Sequence, residues 1–260
     1  MLFRSNSLKI LNPLGEDTSI MRTTTLPSML EILTRNYNFR NKSAKLYELG
    51  RVYFKRADGL ADEPKVLTLG AYGDNMDFFT LKGAVEAVLK QLRIENVRFA
   101  ADRENPSYHP GRCAKVYCGD RLLGTLGQIH PHVADNYGVG TELYAAELWF
   151  DALYESKGAQ PLYQPLPKFP AVTRDIAVVC DKAVTVGALE DCIRRGAKGL
   201  LKDVALFDIY TGAGIPEGKK SVAFNLTLRA DDRSLTAQEA DEDVKSILDL
   251  LASELGAILR

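Results

Sequence analysis

LKDVALFDIYTGAGIPEGKKSVAFNLTL, residues 201–228, reads as two strands joined by a glycine-rich turn. Leu201 to Tyr210 carries apolar Val204 and Leu206 at strand spacing, and Ser221 to Leu228 (SVAFNLTL) has the β-branched and aromatic content of a sheet strand. The turn TGAGIPEG is not a phosphate loop: it lacks the Lys-Ser/Thr ending and leads into a strand rather than a helix N-terminus. Before this hairpin, Asp175 to Cys180 (DIAVVC) is a short apolar strand, and Val186 to Arg195 is a helix with Val186, Leu189 and Ile193 on one face. After it, Thr236 to Leu255 is a long helix opened by a capping box, Thr236 with Glu239 three residues on. Ala257 to Arg260 is a last short strand. The order β-α-β-β-α-β is that of the ferredoxin-like split βαβ fold. It leaves one face of its four-stranded sheet uncovered, an arrangement several RNA-binding modules use.

Upstream, QPLYQPLPKFP (160–170) holds four of the chain's eleven prolines. Each proline lacks a backbone donor and biases its predecessor toward extended structure, so the stretch is a stiff linker. It divides the 260 residues into a first domain, 1–157, a linker, 158–170, and a second domain, 171–260. The first domain reads as mixed α and β. Leu26, Met29, Leu30, Leu33 and Tyr37 give an amphipathic helix over Pro27 to Asn38. Leu46 to Phe54 and Val66 to Tyr72 are strands, and Phe78 to Leu92 is a helix with Phe79, Leu81, Val85, Val88, Leu89 and Leu92 as its apolar set. Ala114 to Cys118 and Leu122 to Leu126 flank Gly119-Asp120 as a hairpin, and Tyr144 to Phe150 is a further strand. Strands with short connections predict a mainly antiparallel sheet with helices against it, so the fold class is α+β throughout.

Composition excludes several classes. Hydrophobic content of 46% and charged content of 26% are ordinary for a globular chain. No stretch approaches the ~20 apolar residues of a membrane span. The opening MLFRSNSLKI has neither a long apolar region nor a small-residue cleavage site, so no secretory signal is read there. The cysteines, Cys113, Cys118, Cys180 and Cys192, are expected to be reduced thiols in a cytoplasmic protein, with Cys180 and Cys192 in the core. A net charge of -1 exerts no general pull on nucleic acid, so RNA binding requires a local patch. Neither DNA nor a membrane is an expected partner.

Candidate binding residues cluster around the hairpin. In FDIY, Tyr210 suits base stacking and Asp208 suits a base edge; the same pattern also describes a strand aromatic beside a surface acid. In GKKS, Lys219 and Lys220 beside Ser221 suit phosphate contact, or form a solvated loop. Arg194, Arg195, Lys198 and Lys202 extend a basic rim, while Glu239, Asp241, Glu242 and Asp243 mark a helix surface turned from RNA. HPGR (109–112) and GQIHPH (127–132), near Cys113 and Cys118, fit no zinc spacing and read as turns, with His130 leading a short helix. No metal site and no catalytic set is assigned.

These segments, in order, carry a resemblance. NPLGEDTSIMRTTTLPSMLEILTRN (12–36), LYELGRVY (46–53), FFTLKGAVEAVL (78–89), YHPGRCAKV (108–116) and LGTLGQIHP (123–131) resemble the core of the bacterial phenylalanyl-tRNA synthetase beta subunit. FPAVTRDIAVV (169–179), LFDIYTG (206–212), KKSVAFNLTL (219–228), SLTAQEAD (234–241) and the closing Leu259-Arg260 resemble its ferredoxin-fold anticodon-binding domain. The resemblance implies a class II synthetase-like core that is catalytically silent. In keeping with this, the place for motif 3 reads ELYAAELWFDAL, and Arg51 stands in an ELGR context instead of an ATP-binding one. It implies an alpha-subunit partner in an (αβ)2 assembly, with helix Pro27 to Asn38 as a candidate for burial there, and phenylalanine tRNA as the RNA. By motif, Tyr210 would stack an anticodon base, Asp208 and Ser221 would contact bases, and Arg260 the RNA backbone, with Lys219 and Lys220 beside them. Arg174 and Asp175 would support the fold. AELWF (146–150) departs from the family, which tends to have an acid after Glu-Leu. No cofactor is implied for this stretch; ATP and magnesium belong to the complete synthetase. The family's subunit is much longer, so this chain is expected to be its C-terminal fragment, without the editing of mischarged tRNA. The rival readings are a stand-alone class II-like ligase and a regulatory protein whose ferredoxin-like domain binds a small amino acid.

Overall fold

The computed structural model describes residues 7–57, 59–163 and 165–260. The opening MLFRSN, where no secretory signal is read, lies outside the described residues, as does Gln164 of the linker. The chain divides into two compact units, Met1–Pro161 and Leu162–Arg260.

The first unit is built on an antiparallel sheet of β1 (Ala44–Arg51), β4 (Lys65–Tyr72), β5 (Val97–Ala101), β6 (Tyr108–Cys118), β7 (Arg121–Ile129) and β8 (Leu143–Trp149), in the order β1-β4-β8-β7-β6-β5. A ribbon of β2 (Phe54–Lys55) and β3 (Ala61–Asp62) stands apart from it. Helix α1 (Leu26–Asn38) lays Leu26, Met29, Leu30 and Leu33 on one face, against Tyr72, Tyr108, Ile129 and Leu143. Burying each leucine contributes on the order of 2 kcal/mol. Gly70 of β4 permits the approach: a Cβ there would lie 2.5 Å from Met29 Cγ and Sδ. Helix α2 (Phe78–Gln91) covers the other face with Leu81, Val85 and Leu89, packed with Val116, Leu126, Tyr144 and Leu148. Short helices α3 (Pro131–Asn136) and α4 (Phe150–Ser156) complete the unit. With both faces covered, β8 is apolar nearly throughout, as a doubly buried strand must be.

One acid interrupts β8. Glu147 Oε1 accepts from Thr24 Oγ1 (2.5 Å), Thr25 N and Oγ1 (both 2.9 Å) and Leu26 N (3.2 Å). Thr25 Oγ1 also meets Thr68 Oγ1, and both threonines are fully buried. The Thr25 side chain does not cap its own helix. A carboxylate from the sheet therefore takes the orphan N–H groups at the start of α1 and complements its dipole.

Three local expectations are corrected. The first strand ends at Arg51 instead of Phe54, because buried Val52 leaves the ladder and donates its N–H to Pro64 O at 3.1 Å. Phe79 is 73% exposed, packed edge-on to Phe78 rather than in the core. HPGR is no turn: it lies within β6, where a register irregularity between Tyr108 and Cys113 lets a strand carry a proline and a glycine.

The second unit runs β9 (Val172–Asp181), α5 (Val186–Gly196), β10 (Leu201–Tyr210), β11 (Lys219–Leu228), α6 (Ala237–Leu255) and β12 (Ile258–Leu259). The antiparallel sheet has the order β10-β11-β9-β12, the ferredoxin-like arrangement. Ile176, Val178, Val222, Phe224 and Leu226 face Leu189, Cys192 and Ile193 of α5 and Ile247 and Leu251 of α6. The capping box is present at α6, and Gly256 closes that helix in the left-handed conformation, φ 59°. Cys180 and Cys192 are fully buried free thiols whose pKa values burial raises.

One further expectation fails here, and helical periodicity is the reason. Asp243 is not on the acidic surface of α6 but 1% exposed, and its Oδ1 accepts the Lys198 N–H at 2.6 Å. Arg174 and Asp175 each contact the second unit, on opposite faces of β9, since successive strand residues alternate. Arg174 pairs with Asp241 of α6 at 2.9 Å, while Asp175 faces the uncovered side and accepts from Asn225 Nδ2 at 2.6 Å.

Candidate nucleic-acid interface

The helices cover one face of the second sheet, so its other face is assembled from alternate residues of four strands. Register places Tyr210 opposite Ser221, Ser221 opposite Val179, and Val179 opposite Ile258. The next row runs Asp208, Ala223, Ala177, and Arg260 joins it by donating its N–H to Ala177 O at 2.8 Å. The methyl side chains of Ala177 and Ala223 leave room for the long Arg260 side chain. Its guanidinium carbon stands 5.5 Å from the Tyr210 ring centroid, a cation–π arrangement. Ser221 lies on the floor of this group, 3% exposed, and Tyr210 is 38% exposed.

The six sequence candidates are thus not equivalent. Asp208, Tyr210, Ser221 and Arg260 meet on one patch, brought together from residues up to 52 positions apart (208 to 260). Lys219 shares their face at its edge, paired with Asp181 at 3.4 Å. Lys220 is on the helix side of the sheet, beside Cys180. The basic rim is partly neutralised, since Arg195 pairs with Glu254 and Lys202 with Asp231.

Sequence reasoning missed Asn225 and Asp175, one row beyond Asp208. Counting by twos from Ser221 would have found Asn225. Because a carboxylate only accepts, Asn225 must turn its amide nitrogen toward Asp175 and its oxygen away. With Asp208 and Asp181, this face offers mainly acceptors, which suits the N–H groups of base edges better than phosphates.

The histidine motifs have local roles. His109 Nδ1 accepts from Gly111 N at 3.0 Å, and His130 Nδ1 from His132 N at 3.2 Å, capping α3. Arg112 donates to Gln128 Oε1 at 2.7 Å and pairs with Glu142 at 2.9 Å. Among the described residues, no group of three or more His, Cys, Asp or Glu is placed to hold a metal, and no helix is long and apolar enough to cross a membrane. On the α1 face of the first sheet, a cleft of about 110 Å³ is lined by Thr23, Thr24, Asn105, Thr125, Glu147 and Trp149, with Val52 and Val66. A wider open groove, about 520 Å³, lies at the end of α1 beside Arg40, Lys42 and Asp74.

Residues 2–150 match the model of the phenylalanyl tRNA synthetase beta chain CLM domain, and residues 167–260 match that of the ferredoxin-fold anticodon binding domain. The phenylalanine–tRNA ligase beta subunit of Clostridium tetani is 45% identical over 257 residues, 98% of this chain and 32% of that protein. That of Clostridium acetobutylicum is 43% identical over the same shares, and that of Geobacter sulfurreducens is 34% identical over 99% of this chain and 34% of its own. The chain therefore spans about a third of the length of the curated relatives it matches. With both of its units matched in order and a relative at 45% identity, the chain belongs to the phenylalanyl-tRNA synthetase beta-chain family.

Proposed function

We propose that this stretch serves phenylalanine–tRNA ligase as a scaffold and as an anticodon reader, without performing chemistry itself. The observation that carries the reading is the open-face patch of Tyr210, Asp208, Ser221 and Arg260, inside the segment matched to an anticodon-binding domain. Tyr210 offers a ring for stacking, the acceptors around it suit a base edge, and Arg260 and Lys219 supply cations for the RNA backbone. Lys220, on the opposite side of the sheet, takes a peripheral part at most.

The scaffold role rests on α1. Its outward side carries Ile32 and Arg35, and Phe39 follows as its C-cap; Ile32 is 52% and Phe39 72% exposed, and Arg35 lies 5.9 Å over the Phe39 ring. The stripe Leu26, Met29, Leu30 and Leu33 is taken up by the chain's own sheet, so the surface left for the alpha subunit in a heterotetramer is this pair of exposed apolar residues around Arg35. ATP and magnesium act in the complete cytoplasmic synthetase; in this core, Glu147 is already committed to the start of α1 and the cleft beside it is small.

The test is binding of the phenylalanine anticodon stem-loop at two salt concentrations, against a scrambled anticodon. Preference for the native loop, weakened by roughly 1 kcal/mol or more in Tyr210→Ala, supports the reading. Equal binding of both loops, only at low salt, refutes it. Phenylalanine-dependent ATP–pyrophosphate exchange by the pure chain would refute the silent core.

A further inference from the structure

Tyr210 ends β10, and the residue two positions on is Gly212. Most glycines that a fold requires are required by a left-handed backbone. In this turn Gly214 (φ 87°) and Gly218 (φ 81°) are of that kind, and Gly212 is not. It is demanded by a neighbour instead. A Cβ at 212 would be driven into Tyr210 Oη and Cζ and would stand 2.8 Å from Cε2. The phenol edge therefore rests directly on the backbone of the turn. One residue further, Ala213 O accepts the Tyr210 hydroxyl proton at 3.3 Å. From the sheet side the Arg260 guanidinium approaches the ring at 5.5 Å. A half-exposed tyrosine at a strand end ordinarily samples several rotamers; this one is met along its hydroxyl edge and from the side of Arg260.

We propose that Gly212 is a positioning residue for RNA binding: it is the seat that holds the Tyr210 ring in one orientation, ready to stack a nucleobase. The inference rests on the anticodon reading above and adds to it a residue that never touches RNA. Its physical content is pre-organisation, because a ring already fixed loses less rotamer freedom when a base settles on it. Adding one methyl at 212 evicts the Tyr210 ring from its seat and leaves the other RNA-facing groups in place.

The experiment is a double-mutant cycle on the full 260-residue chain with the phenylalanine anticodon stem-loop RNA: wild type, Gly212→Ala, Tyr210→Ala and the double variant. Gly212→Ala is expected to weaken binding about as much as Tyr210→Ala, on the order of tenfold. In the Tyr210→Ala background it should have no further effect. The melting temperature of Gly212→Ala should match wild type, so a general structural role would not produce this pattern. Wild-type affinity in Gly212→Ala, or independent effects that multiply in the double variant, would overturn the proposal. If Tyr210→Ala binds like wild type, the stacking reading itself fails. The seat is then decided without RNA, by proton NMR contacts between the Tyr210 ring and the Gly212 α-protons. Their presence in wild type and loss in Gly212→Ala uphold the seat; their absence from wild type removes it.

Discussion

Replacing Glu147 with alanine is expected to cost the first unit about 3 kcal/mol, a large share of a domain's usual stability. Glu147 takes four hydrogen bonds on one oxygen, two of them from backbone N–H groups at the start of α1. The site is largely buried, with Thr25 and Thr68 fully buried, Leu26 6% exposed and Glu147 itself partly buried at the edge of the small cleft. Hydrogen bonds to a charged acceptor contribute about 1.5–3 kcal/mol each, and a stranded buried donor costs about 1–3 kcal/mol, so simple addition would exceed 6 kcal/mol. The sum overstates the loss. Thr25 Oγ1 keeps Thr68 as a partner, and Leu26 N retains Thr24 Oγ1 at 3.2 Å. That leaves the Thr25 N–H stranded and the helix dipole uncompensated, about 2 and 1 kcal/mol. Glu147→Gln keeps the carbonyl acceptor and loses the charge, so it should cost about 1 kcal/mol. The assay is urea unfolding at neutral pH, with Trp149, the chain's single tryptophan, reporting on β8 of the first unit. A loss below about 1 kcal/mol for Glu147→Ala, or equal losses for Ala and Gln, would refute the argument that a charged cap anchors α1.

The capping box predicts a pH response in the second unit. The Thr236 N–H, then Arg233 and the Thr236 hydroxyl, hold the Glu239 carboxyl down to about 2. A depressed folded-state pKa stabilises above the unfolded value of roughly 4.3 and is lost as pH falls toward 2. Melting of wild type against Glu239→Gln should therefore diverge at neutral pH and converge between pH 4.5 and 2; curves parallel over that range would contradict it. Gly70→Ala should destabilise by about 1–3 kcal/mol by crowding Met29, and Met29→Ala should be less harmful in that background than alone, both read by thermal melting. In native protein, a thiol reagent should modify partly exposed Cys118 first, while Cys113, whose thiol burial pushes up to about 12, Cys180 and Cys192 react only on unfolding. Mass mapping of the modified cysteine checks the order.

Much of the architecture was legible because it is written in local periodicities. Strict alternation in SVAFNLTL, the 3.6-residue recurrence of Leu26, Met29, Leu30 and Leu33, and the Thr236–Glu239 pair each refer to neighbours within a few positions, so they predict elements without knowing what packs where. The same locality explains the failures. HPGR carries turn residues, yet a bulge inside a long sheet accommodates them. Asp243 sits in a run of acids, and only the packing of α5 on α6 shows that it alone turns inward, to Lys198 N–H.

The candidate patch divides in the same way. Tyr210, Asp208 and Ser221 were named from the FDIY and GKKS motifs and the family resemblance, and the hairpin register puts them on one side. The joining of Arg260 to Tyr210 was not: it depends on β12 pairing with β9, on the far side of β11, and on two alanines low enough for an arginine to reach across. Alternation separates Lys219 from Lys220, but which of the two reaches the open face follows from where the helices pack. Sequence alone thus determined which elements form and which residue types lie along them, because those choices are set by interactions a few residues apart. Tertiary structure alone decided which side chains meet, because cross-strand order and helix placement are set by burial of the whole core.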